Sequence, residues 1–214
     1  MVKLIIFFIL TGCSGYRFSQ HENPLSQFGI YTLSVPMFYN YSNFSEIHTD
    51  FTRETYRLLT GFSGLKLASG YSKDADAVLI GIIKSPEKVT ESIKASNLRL
   101  AQDKAKNAIG GERQSFYIPG TSDVSLFLHV IVIKHPTEEE IALIKSGIGE
   151  QVKSTSKIIF NDLIPLRSQY TREILDNEGV QVVGTQNAGV QRKTLKSLAE
   201  QAAVNVRDMI LYAF

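Results

Sequence analysis

The sequence predicts an α+β fold: a two-layer sandwich with two amphipathic helices packed on one face of a four- to five-stranded mixed sheet. Three observations predict it. Val124 to Ile133 (VSLFLHVIVI) is an uninterrupted apolar run of strand length, largely apolar on both faces. Two segments near opposite ends of the chain carry apolar residues at three-and-four spacing, the mark of a helix with one buried stripe. The elements run strand, helix, three or four strands, helix, and a sheet supplies the apolar surface that two such helices need.

Taken in order, Met1, Val2 and Lys3 form a short positive start, and Leu4 to Leu10 an apolar run. Thr11 and Gly12 then precede Cys13, the only cysteine. That is the layout of a signal peptide, and seven apolar residues are far fewer than the roughly 20 a spanning helix needs. Leu10-Thr11-Gly12-Cys13 fits the bacterial lipobox, so the expectation is cleavage before Cys13 and lipidation of its thiol. Residues 1–12 are then the signal, 13–28 a polar lipidated tether, and 29–214 one α+β domain.

Gly29 to Pro36 reads as a first strand, rich in β-formers and closed by proline. Asn40 to Ser45 is a polar connector, with Ser45 the expected helix N-cap. Ile47, Phe51, Leu58, Leu59 and Phe62 recur at helical spacing until Gly61 or Gly64. Leu65 to Ser69 and Ala77 to Lys84 (AVLIGIIK) follow as strands. Residues 90–123 form a polar, basic excursion, whose Ser92 to Ile109 portion fits either a helix or a mobile segment. Ser156 to Tyr170 is a further strand in which Pro165 implies an edge or a bulge. A short strand is possible at Val180 to Val183. The closing helix carries Leu195, Leu198, Ala199, Ala202, Val206, Met209, Ile210 and Ala213 on one stripe. Ser197 and Glu200 match a capping box inside it, although the stripe begins earlier.

Composition narrows the function classes. A chain of 214 residues can bury a sizeable core without disulfides, and one cysteine allows neither an internal disulfide nor a multi-cysteine zinc site. A net charge of +2 lacks the basic footprint of a nucleic-acid binder. No P-loop, G-x-G-x-x-G or H-E-x-x-H occurs. Ser63 and Ser154 each begin an S-x-x-K without the partner motifs of a serine hydrolase. His21, His48, His129 and His135 are scattered, and only His129 and His135 share strand parity. The expectation is therefore a protein that is not an enzyme and has no cofactor or metal.

Several stretches resemble the LPS-assembly lipoprotein (LptE) family. Gly15-Tyr16-Arg17-Phe18 follows the cysteine closely. Val35-Pro36-Met37-Phe38-Tyr39-Asn40-Tyr41-Ser42 is similar to the family's Ile-Pro-x-Phe-x-Asn-x-Thr/Ser. A helix with Phe51-Thr52 and Leu58-Leu59 comes next, then Ala75-Asp76-Ala77-Val78-Leu79-Ile80-Gly81-Ile82-Ile83, close to Ala-Asp-x-x-Leu-x-Gly-x-Ile. Ser14 after the cysteine and the length of the 90–123 excursion depart from the pattern. The resemblance implies a lipoprotein held by its lipid on the periplasmic side of the outer membrane. Its implied partners are the β-barrel LptD, which the family plugs and helps to assemble, and lipopolysaccharide. Lys84, Lys88, Lys94, Arg99, Lys104, Lys106 and Arg113 outnumber the acids around them. Lipid A phosphates suit such a surface, and Lys94, Arg99, Lys104 and Lys106 are the expected ligand residues. With only two helices to cover the sheet, its second face, carrying Phe127, Ile131 and Ile133 or the Val124 series, is a candidate contact surface. Envelope lipoproteins that activate peptidoglycan synthases, and secretion-channel lipoproteins, carry a similar Ala-Asp-x-x-Leu-x-Gly-x-Ile strand. A binding or activator module of that kind is the alternative.

Overall fold

A computed structural model describes residues 21–86, 93–100, 117–146, 157–172, 174–175, 181–182 and 184–212. The expected lipidation site and tether residues 13–20 lie outside them.

One strand organises the molecule. β8 (Tyr117–Lys134) is 18 residues long, and its β-branched run lets it be buried on both faces. Along one edge, its C-terminal half pairs antiparallel with β6 (Ala77–Lys84) and its N-terminal half with β7 (Ile93–Leu100). β6 and β7 thus follow one another along the same edge of β8. Along its other edge runs β9 (Ile158–Thr171), antiparallel, with a register shift between Val132 and Ile133. Beyond β6 lie β2 (Thr32–Val35) and β3 (Tyr39–Tyr41), both parallel to it, and β5 (Lys66–Ser69) pairs parallel with β2. The result is a seven-stranded mixed sheet. β9 pairs only with β8 among the described residues, so Pro165 sits on an edge strand, where its missing N–H is tolerated. Two small pairings stand apart: β1 (His21–Glu22) with β4 (Phe62–Ser63), and β10 (Ile174–Leu175) with β11 (Gln181–Val182).

Helices α1 (Ile47–Leu59) and α3 (Gly184–Tyr212) pack on each other and on one sheet face. Ile47, Phe51 and Leu59 of α1 are buried, as are Leu198, Ala199, Ala202, Val206 and Ile210 of α3. They meet Leu33, Val35, Ala77, Leu79, Ile83 and the alternate residues Val124, Leu126, Leu128, Val130 and Val132 in one core. Each fully buried Leu, Ile, Val or Phe contributes about 1.5–3 kcal/mol relative to exposure, so this layer dominates stability.

The α+β architecture and the one-sided pair of helices agree with the sequence reading; the main sheet has seven strands and not four or five, and four further details differ. The first turn of α1 is entered through Glu46, in a left-handed conformation (φ 60°) with no side-chain cap, and not through Ser45. Ser197 and Glu200 lie inside α3, which begins at Gly184, so they cap nothing. Residues 93–100, left open between helix and mobile segment, are a strand, because the long β8 offers its edge there. A third helix, α2 (Glu138–Lys145), closes part of the second sheet face. Its Ile141 and Ile144 pack on Val78, Ile80, Ile82, Ile131 and Ile133, forming a second apolar cluster. The face that the two helices leave open is thus covered by α2 where Ile131 and Ile133 lie.

Candidate functional site

The expected ligand residues are only partly described. Lys94 and Arg99 stand on β7, in register with Asp123 and Ile118 of β8. Lys104 and Lys106 lie outside the described residues, as does Ser154. Ser63 is an exposed residue of β4, paired in register with Glu22. The two histidines of shared parity separate: β8 ends at Lys134, and His135 takes a left-handed φ of 39°. His129 is buried, and its Nε2 donates to Asn161 Oδ1 at 2.5 Å. No metal-binding cluster occurs among the described residues.

Among the described residues, several of those that carry the family resemblance serve the fold. Phe38 is buried with its ring on the Gly81 backbone, so close that a Cβ there would come within 2.5–2.6 Å of ring carbons. Phe38 N donates to Thr52 Oγ1 at 2.9 Å, and that hydroxyl donates to the His48 carbonyl at 2.7 Å, tying β3's approach to α1. Asn40 Nδ2 donates to the Phe44 carbonyl at 2.6 Å, while Asn40 Oδ1 accepts from Ser42 N and Ser42 Oγ, closing the turn into α1. Asp76 binds the start of β2 to the start of β6. Its Oδ2 accepts from Tyr31 N (2.9 Å), Thr32 N (2.8 Å) and Thr32 Oγ1 (2.8 Å). The Tyr31 amide foremost, then the Thr32 hydroxyl, hold its carboxyl below the usual aspartate range. Ala75, beside it, is buried. Phe38, Asn40 and Asp76 are each committed to a contact that holds the fold together.

What the surface offers is hollows. One, about 930 Å³, separates the start of α1 from the first turns of α3. Its rim is a long Glu46–Arg192 ion pair (3.6 Å) between two highly exposed side chains, and acids and bases are mixed around it. A smaller cleft of about 370 Å³ lies on the opposite sheet face, beside α2. Its apolar lining is Pro36, Val78 and Ile141 together with Tyr39 and Tyr71. The Lys145 ammonium lies 5.2 Å from the Tyr39 ring centroid, a cation–π distance. Tyr41 Oη donates to the Lys145 carbonyl at 2.7 Å, which pins the end of α2 to β3. At the other end Glu138 is paired with Lys73 at 2.8 Å, a bond that lowers the carboxyl's pKa and raises the amine's. Met37, Tyr41 and Leu143 are exposed large apolar side chains of the same segments.

Sequence reasoning passed over this cleft because α2 was not read. The signal was there: Thr137 and Glu140 form a capping box, with Glu140 N donating to Thr137 Oγ1 (3.2 Å) and Thr137 N to Glu140 Oε2 (2.7 Å). Once that start is set, Ile141, Ile144 and Lys145 follow at helical spacing.

No family model and no curated protein matches the chain. Among solved structures it is similar to rare lipoprotein B from Shewanella oneidensis at 15% identity, covering 85% of this chain and 92% of that one, with a TM-score of 0.39. A candidate lipoprotein from Caulobacter crescentus is similar at 8% identity over 83% and 90%, TM-score 0.38. A minor lipoprotein from Acinetobacter baumannii is similar at 14% over 81% and 88%, TM-score 0.35. Likenesses this loose carry no argument about what the chain does.

Proposed function

We propose that the chain is a lipid-anchored envelope protein that assembles with, and plugs, a lipopolysaccharide-translocating outer-membrane β-barrel of the LptD kind. It binds lipopolysaccharide during transport to the cell surface, and its work is binding, not catalysis. One observation carries the reading: the lone Cys13 stands where a lipoprotein signal ends, ahead of a chain with the LptE-like motifs. Those motifs have structural work to do, in Phe38 against Gly81 and in the three bonds to Asp76. The resemblance is therefore to the fold-building part of the family pattern. That is also why an activator of a peptidoglycan synthase, with a similar strand, remains the competing reading.

Affinity capture of the acylated protein from detergent-solubilised envelopes separates the two. The expected result is co-purification of a large β-barrel protein. Recovery of a penicillin-binding protein without a barrel overturns the proposal in favour of the activator reading. Lipopolysaccharide binding has its own measure. Reversing the charge at Lys94, Arg99, Lys104 and Lys106 together is expected to weaken it at least about tenfold, since charge-assisted phosphate bonds carry much of such affinity. An unchanged, salt-insensitive affinity removes these four residues from the site.

A further inference from the structure

We infer that the cleft beside α2 is a binding site for an anionic amphiphile: an apolar chain or ring ending in one carboxylate or phosphate. The inference does not rest on the proposed function, which does not require this site, although Pro36, Tyr39 and Val78 belong to the stretches that resemble the LptE family.

The cleft has the size and make-up of a small-ligand site. About 370 Å³ falls within the roughly 300–1,000 Å³ usual for such pockets, which are mostly apolar with a few polar groups. Its apolar lining is rigid: Val78 and Ile141 belong to the cluster that fastens α2 to the sheet. Its aromatic side chains, Tyr39 and Tyr71, suit a chain or a flat ring, and Tyr71 remains 41% exposed.

Charge selects the end group. Two ionic side chains reach the cleft from opposite ends of α2. Glu138, at the first turn, already holds Lys73 at 2.8 Å and has its charge balanced there. Lys145, at the last turn, has no carboxylate partner among the described residues, and its ammonium rests over the Tyr39 ring. A ligand with an acid end gains a charge-assisted bond at Lys145 and buries its apolar body on Val78 and Ile141. A cationic amphiphile meets only a carboxylate that is already paired. The fastened carbonyl of Lys145, held by Tyr41, keeps the base of that side chain in place.

The test uses the full acylated chain in phosphatidylcholine nanodiscs, with empty nanodiscs subtracted, and calorimetric titration of decanoate, decyl phosphate, decanol and decyltrimethylammonium. Decanoate or decyl phosphate is expected to bind about tenfold or more tightly than decanol, and decyltrimethylammonium not to bind. Preference between the first two distinguishes a carboxylate from a phosphate source. Lys145→Glu is expected to remove the advantage of the acids, and Tyr71→Ala to weaken all three binders. Lys196→Glu, exposed on α3, should change nothing. Circular dichroism of each variant shows that the fold is retained. If Lys145→Glu retains full affinity for both acids, or if decanol binds as well as they do, the assignment is overturned. Loss of barrel capture with this selectivity intact would count against the proposed function alone.

Discussion

At the scale of single residues, the informative positions are those where one side chain holds two elements. Asp76 is the clearest, since it ties β2 to β6 through two amides and a hydroxyl. Its carboxyl is depressed in the folded chain, so the stability it adds is fully present above the ordinary aspartate pKa, about 4. That stability is lost as pH falls through the lower folded-state value. Asp76→Ala should therefore lower the urea midpoint at neutral pH by removing the acceptor of Tyr31 N and Thr32 N. The gap between variant and parent should shrink when the titration is repeated below about pH 4. A gap that stays constant with pH would mean that the charge contributes nothing. Gly81 presents the opposite case, a position defined by what it lacks. A methyl group there would enter the Phe38 ring, so Gly81→Ala is expected to cost about 1–3 kcal/mol by overpacking. Phe38→Leu should recover part of that loss in the double variant, as read from urea denaturation.

At the scale of elements, what could be read from the sequence follows how much of each element's stability is local. Ala77–Lys84 appears in the structure with its expected bounds, since its eight residues are of strand length and rich in β-branched Val and Ile. The stripe of α3 is equally self-declaring: Leu198, Ala199, Ala202, Val206 and Ile210 are all buried. β7 was not readable as a strand, since its residues are largely polar and its pairing is supplied by β8, 17 positions away at the near end of the register (Leu100 with Tyr117) and 31 at the far end (Ile93 with Val124). The two-residue pairings of β1 with β4 and β10 with β11 are likewise set by neighbours. α2 is a different failure. An eight-residue helix is marginal alone, and its amphipathic pattern is brief, so only the capping box announced it. The Tyr39–Tyr71–Lys145 cleft went unread with it. Thr137→Ala should cost about 1 kcal/mol, and hydrogen exchange should show α2 amides opening faster while β8 amides follow global stability. Equal acceleration in both would mean that α2 unfolds only with the whole domain.

At the scale of the whole molecule, folding and membrane attachment separate. Among the described residues, the cores on both faces of the sheet are built from residues between Leu25 and Leu211. Among the described residues no helix is long and apolar enough to cross a membrane. Attachment, as proposed, rests on Cys13: a single acyl chain gives only marginal, reversible binding, whereas the two or three of a mature lipoprotein hold firmly. Cys13→Ser should then change location without changing stability. Metabolic labelling with a fatty acid should mark the parent and not the variant. The variant should accumulate as an uncleaved precursor or leave the membrane fraction, while the urea midpoint of its body stays that of the parent. Label on the Cys13→Ser chain would show that the lipid is attached elsewhere. An unlabelled chain that was cleaved and still sedimented with the outer membrane would show that a protein partner, and not the lipid, provides the anchor.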